Sequence, residues 1–112
     1  MPVVAEGGSR VAGSSSDVVV IAEARAKPGM GEELASALRE AAGPTRAQPG
    51  CVAFSLYRRS DSPTTIIGFE RWASEDDHQR HLKGAHVQRL IGRMSAILAE
   101  PPRIVSYEVI DE

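Results

Sequence analysis

CVAFSLYRRSDSPTTIIGFERW, residues 51–72, holds two apolar-rich runs on either side of Ser60-Asp61-Ser62-Pro63. The runs CVAFSLYRR (51–59) and TTIIGFERW (64–72) are rich in β-branched and aromatic residues, and the connection has the composition of a turn. The segment therefore predicts an antiparallel hairpin. On each strand both alternating sets contain apolar side chains: Phe54 and Leu56 against Ala53 and Tyr57, Ile67 and Phe69 against Ile66 and Trp72. A sheet that is apolar on both faces needs a cover on each.

Working outward, DVVVIAEARAK (17–27) begins as a β-branched run and then alternates, which predicts a strand closed by Pro28-Gly29. Met30, Leu34, Leu38 and Ala41 or Ala42 then recur at helical spacing, with Glu32 and Glu33 near the positive end of the helix dipole. Gly43-Pro44 is expected to kink or end this helix, and Pro49-Gly50 to stop any helix continuing beyond it. After the hairpin, Ser74 followed by Asp77 has the form of a capping box. It starts a short helix that carries His78 and His81 and ends near Gly84. Val87, Leu90, Ile91, Met94, Ile97 and Leu98 form one face of a further helix, Pro101-Pro102 terminates it, and RIVSYEVID (103–111) reads as a fourth strand.

The order strand, helix, strand, strand, helix, strand is the split βαβ pattern of a ferredoxin-like α+β fold: a four-stranded antiparallel sheet with helices on one face. The uncovered face predicts a homodimer, in which two sheets meet face to face and close a dimeric α+β barrel.

Of the 112 residues, 42% are hydrophobic and 25% charged, the balance of a globular domain. One domain is expected over residues 17–112, after a flexible tail over residues 1–16, where Gly7-Gly8 and Ser14-Ser15-Ser16 interrupt any apolar run. The net charge of -2, with both signs interspersed, argues against a nucleic-acid partner. No stretch reaches the roughly 20 apolar residues of a membrane-spanning helix, so no membrane partner is expected. Cys51 is the sole cysteine and has no intramolecular disulfide partner, which suits a reducing cytoplasm.

There is no phosphate-binding glycine loop, G-x-S-x-G elbow, CxxC or H-E-x-x-H, so nothing announces nucleotide hydrolysis, triad catalysis or a zinc site. His78 and His81, at i and i+3, share a helix face, and His86 lies beyond Gly84. In so polar a helix (EDDHQRH) they read as a solvated face rather than a metal site, although a single imidazole there would suit proton transfer near neutrality. Trp72 is expected either to plug the core or to stand at the mouth between sheet and helix. Glu70, Tyr57 and Glu23 are polar side chains that strand alternation could turn inward, where a carboxylate would gain basicity. Glu70 is the better candidate base, and Glu23 the better candidate for an ion pair. Cys51 reads as a small buried hydrophobe.

The runs VVVIAEARAKPGMGEELASAL, QPGCVAFSLYR and FERWASEDDHQRHLKGAHVQRL, with the terminal strand, resemble the antibiotic biosynthesis monooxygenase (ABM) family of dimeric α+β barrels. The resemblance covers residue 17 to about the C-terminus and rests on Pro28-Gly29, Pro49-Gly50-Cys51, Glu70-x-Trp72 and the His81, His86 pair, in that order. It implies oxidation of a quinol-like or polyketide aromatic by O2 with neither flavin nor metal. Trp72, His81, His86 and Glu70 would then act as the catalytic group, and Phe54, Tyr57, Phe69 and Met94 as substrate walls. Haem-degrading relatives look to use an Asn on the first strand where this chain has Ala24, which argues against haem. The alternative is a non-catalytic binding or stress-response module of the same fold, in which Met94, Ile97 and Leu98 would fill the space between sheet and helices. Isomerisation or cyclisation of a polyketide would need the same pocket without O2.

Overall fold

In the structure, a computed structural model, residues 16–112 are described. The elements run β1 (Val18–Arg25), α1 (Gly31–Arg46), β2 (Cys51–Arg58), β3 (Thr65–Trp72), α2 (Glu75–Leu82), α3 (Ala85–Ile97) and β4 (Arg103–Glu108). The strands form one sheet in the order β2-β3-β1-β4 with every neighbour antiparallel. This is the expected ferredoxin-like arrangement. The tail read over residues 1–16 lies, except for Ser16, outside the described residues.

Register fixes the two faces. Phe54 and Val20 flank Glu70 on β3, while Leu56 and Ala22 flank Gly68. Because side chains alternate, these residues share the helix-covered face with Ala24, Ile66 and Trp72. The core beneath the helices joins Ala24 and Ala26 to Leu34, Ala35, Ala37, Ile66, Ile97 and Leu98. Its many alanines allow α1 to approach the sheet closely. On the other face Ile21 lies between Phe69 and Val105, and Val19 between Arg71 and Tyr107, with no helix among the described residues over them.

Two local expectations change. The helix α1 runs through Gly43-Pro44 to Arg46 rather than ending there. Pro44 falls in the last turn, where its missing N–H forfeits one bond to the carbonyl of Glu40, an exposed residue that water can serve. The Ala47 N–H still reaches the Gly43 carbonyl at 3.1 Å. Gly50, at φ +88°, then turns the chain into β2, and a Cβ there would collide with the Asp77 side chain.

The second change concerns α2. Ser74 caps it as anticipated, accepting from the Asp77 N–H at 3.1 Å and donating to the Asp77 carboxylate at 2.9 Å. The helix is not solvated all round, however: His78 and His81 are 5% and 6% exposed. Glu75, Asp76 and Arg80 face water, while the two histidines, three residues apart, pack inward against Trp72. Among the described residues no helix is long and apolar enough to cross a membrane.

Candidate functional site

A cavity of about 160 Å³ lies between the helix-covered sheet face and α1 and α3. Ala22, Ala24 and Gly68 form a floor of small residues, and Phe54, Leu56 and Ile66 border it on the sheet. Leu38, Ala41 and Thr45 of α1 and Leu90, Ile91 and Met94 of α3 close the other side. Ile91 and Ile104 line it and are still half exposed, which places its opening between α3 and β4.

Glu70 and His81 are the ionisable groups on this largely apolar wall. Glu70 is brought to the cavity by alternation on β3, His81 by the inward face of α2. The Glu70 Oε1 accepts from the Trp72 indole N–H at 2.9 Å and stands 3.9 Å from His81 Nε2. His81 Nδ1 lies 2.6 Å from Gln48 Oε1. The imidazole packs on Trp72 with ring centroids 4.6 Å apart, and the His86 and His78 rings lie 5.7 and 6.3 Å from it.

Burial pushes the Glu70 carboxyl above the ordinary carboxylate range, opposed in part by the Trp72 hydrogen bond and by His78. Burial also lowers His81 to about 4, reinforced by His86 and His78. Glu70 and His81 are thus each driven toward the neutral form, so their 3.9 Å approach is not a standing ion pair. Burial and the charge of Glu70 likewise raise the Cys51 thiol, consistent with an inert cysteine.

Of the residues expected at the site, the structure gathers Glu70, His81, Phe54 and Met94 around the cavity. Trp72 is fully buried behind Glu70 and His81 and braces them rather than lining the pocket, so the core-plug reading of it holds. His86 opens instead on a separate cleft between α1 and α3, with Arg89 and Arg93. Tyr57 and Phe69 point the other way: they alternate with Leu56 and Gly68 and belong to the uncovered sheet face. Met94 borders the cavity, while Ile97 and Leu98 are packed into the core, so these three leave the space open.

Sequence reasoning missed Gln48 and Thr45. The Thr45 hydroxyl donates to the Ala41 carbonyl at 2.7 Å, so its exclusion from water is local, but its place on the cavity wall is tertiary. Among the described residues no group of three or more His, Cys, Asp or Glu is placed to hold a metal ion.

The family model described as antibiotic biosynthesis monooxygenase matches residues 17–93. The "Putative monooxygenase Rv0793" of Mycobacterium tuberculosis is 28% identical over 98 residues, 88% of this chain and 96% of that protein. Its solved structure superposes with a TM-score of 0.82, covering 87% of this chain and 98% of the other. The "Putative monooxygenase YcnE" of Bacillus subtilis is 25% identical over 82% of this chain and 97% of its own length. The structure of PA3566 from Pseudomonas aeruginosa is 26% identical with a TM-score of 0.79, over 84% and 94% of the two chains. With its fold, its order of motifs and more than half its length matched, the chain belongs to the antibiotic biosynthesis monooxygenase family.

Proposed function

We propose that this protein is a monooxygenase that oxidises a quinol-like or polyketide aromatic with O2, the substrate itself supplying the electrons. The observation that carries this reading is the apolar cavity with Glu70 and His81 facing each other at its polar end. Ground-state O2 is a triplet and accepts electrons singly, so it reacts readily with an electron-rich anion and poorly with a closed-shell neutral arene. The protein's task is then to bind a flat apolar body, remove one proton and hold the anion. Glu70 suits the second task because burial makes its carboxylate a stronger base than one in water.

For an anthrone the atoms and electrons balance. The Glu70–His81 pair takes a proton from the substrate, and the resulting anion gives one electron to O2. The radical and superoxide combine into a C–O bond at the former CH2 carbon, the peroxide anion takes the proton back from the pair, and loss of the remaining C–H proton as the O–O bond breaks releases water. One oxygen atom ends in a new carbonyl. The other leaves as water with the two hydrogens of the CH2 group.

The uncovered sheet face supports a homodimer as the working form. Ile21, Phe69 and Val105 lie side by side on it, and a second sheet placed face to face would remove them from water.

Oxygen uptake by metal-stripped protein on a panel of hydroquinones and anthrones tests the reading, with Glu70→Gln alongside. Uptake above autoxidation that falls about a hundredfold in Glu70→Gln is expected, the usual size of a general-base contribution. No uptake across the panel, with the same aromatics still quenching Trp72 fluorescence, would replace the enzyme with a binding module.

A further inference from the structure

A neutral imidazole carries one N–H and one lone pair, and which nitrogen holds the proton is set by the partner of the other. At His81 the two nitrogens have different neighbours. Nε2 faces Glu70 at 3.9 Å, beyond a direct hydrogen bond, while Nδ1 lies 2.6 Å from the amide oxygen of Gln48. An amide oxygen only accepts. We infer that Gln48 is a positioning residue that holds neutral His81 in the Nδ1–H tautomer, leaving Nε2 bare toward Glu70 and the cavity.

The turn that presents Gln48 is held on three sides. The Gln48 N–H donates to the Thr45 carbonyl at 3.1 Å, and its own carbonyl accepts from the Cys51 N–H at 3.1 Å. The carbonyl of Gly50 accepts from the Ala73 N–H at 2.8 Å, and the missing Gly50 side chain lets the turn seat against Asp77 at the start of α2. The turn is thereby docked on the helix that carries His81. The other titratable groups around the ring do not compete for Nδ1. Glu70 from β3 faces the opposite nitrogen, and the His78 and His86 rings, from α2 and α3, are 6.3 and 5.7 Å away between centroids.

The tautomer bears on catalysis only if the Glu70–His81 pair accepts the substrate proton as proposed above. With Nδ1–H fixed, a substrate hydroxyl meets two acceptors, Nε2 and the Glu70 carboxylate. With the proton on Nε2, the form that a histidine side chain favours in water, His81 would instead turn its N–H toward Glu70 and weaken it as a base.

The test is ¹H–¹⁵N long-range correlation of the imidazoles in the full chain at pH 7, where His81 is neutral, with His81→Gln run to assign its signals. The wild type should show a protonated Nδ1 and a bare Nε2. Gln48→Leu should move the proton to Nε2, whereas Gln48→Glu, which keeps an acceptor, should retain Nδ1–H and raise the His81 titration midpoint. A wild-type proton on Nε2, or an unchanged tautomer in Gln48→Leu, overturns the inference. If Gln48→Leu does not fold, the wild type and Gln48→Glu decide it. The readout needs no substrate, so its failure and a failure of oxygen uptake are separate results.

Discussion

The indole N–H of Trp72 donates a 2.9 Å hydrogen bond to the carboxylate of Glu70, two residues earlier on the same strand. Side chains at i and i+2 share a sheet face, so β3 by itself supplies both the candidate base and the donor that orients it. Trp72 is completely buried, so water cannot replace that donor. Trp72→Phe would keep most of the ring area and leave the Glu70 oxygen without its partner, costing about 1–3 kcal/mol of stability. Since this bond lowers the Glu70 pKa, losing it should move the acid limb of the oxygen-uptake profile to higher pH. Urea unfolding and a pH–rate series measure the two effects, and a variant unchanged in both would mean the bond does not form in solution.

What the sequence disclosed was local. The hairpin over residues 51–72, the Ser74 cap and the apolar face of α3 each depend on neighbours within a few residues, and all are present. Which strand face receives the helices is a tertiary matter. Alternation gives relative sides only, and both sides here are apolar. Grouping Phe69 with Glu70 in one site conflicted with that alternation, since adjacent strand residues point to opposite faces. The burial of His78 and His81 was hidden by the polar residues around them, because composition says nothing of which helix face meets Trp72. Gln48 lies 33 residues before His81 and reaches it only after a turn, so no local pattern marks the pair.

Gly68 sets the depth of the cavity. It lies mid-strand between Leu56 and Ala22, and a Cβ built on it meets only Leu56 Cδ2, at 3.7 Å. Gly68→Ala should therefore fold, while Gly68→Leu should push a branched side chain into the bound aromatic. The expected outcome is little change in urea midpoint for Gly68→Ala, with at least tenfold weaker binding of a flat aromatic in Gly68→Leu, read by fluorescence titration. Unaltered affinity in Gly68→Leu would place the aromatic elsewhere.

The lowered pKa of His81 makes stability depend on pH with a definite sign. Between its ordinary value of 6.5 and about 4, the unfolded chain binds a proton that the folded chain refuses. This contribution is fully present above pH 6.5 and is lost as pH falls through that window. Glu70 acts in the opposite sense: with its pKa raised, its contribution is present below the ordinary carboxylate value of 4.5 and fades as pH rises through its folded value. Urea midpoints of wild type and His81→Gln from pH 4 to 7 should separate the two. The wild type should lose more stability on acidification, and parallel curves would show that His81 is not titrating as its burial dictates.

Phe69 occupies the middle of the uncovered face, paired with Ile21 on one side and Ser55 on the other. If two chains meet through this face, a lysine at position 69 would place an ammonium in the apolar contact of both copies at once, because a two-fold axis brings each patch against its equal. An unpaired buried charge is costly enough to dissociate an interface of this kind. Phe69→Lys should therefore sediment as a monomer where the wild type sediments as a dimer. Glu70, the next residue, points to the other side of the sheet, so the side-chain change does not enter the cavity. A Phe69→Lys variant that remains dimeric would move the subunit contact to another surface; a wild type that is monomeric at micromolar concentration would leave the face without the cover argued for it.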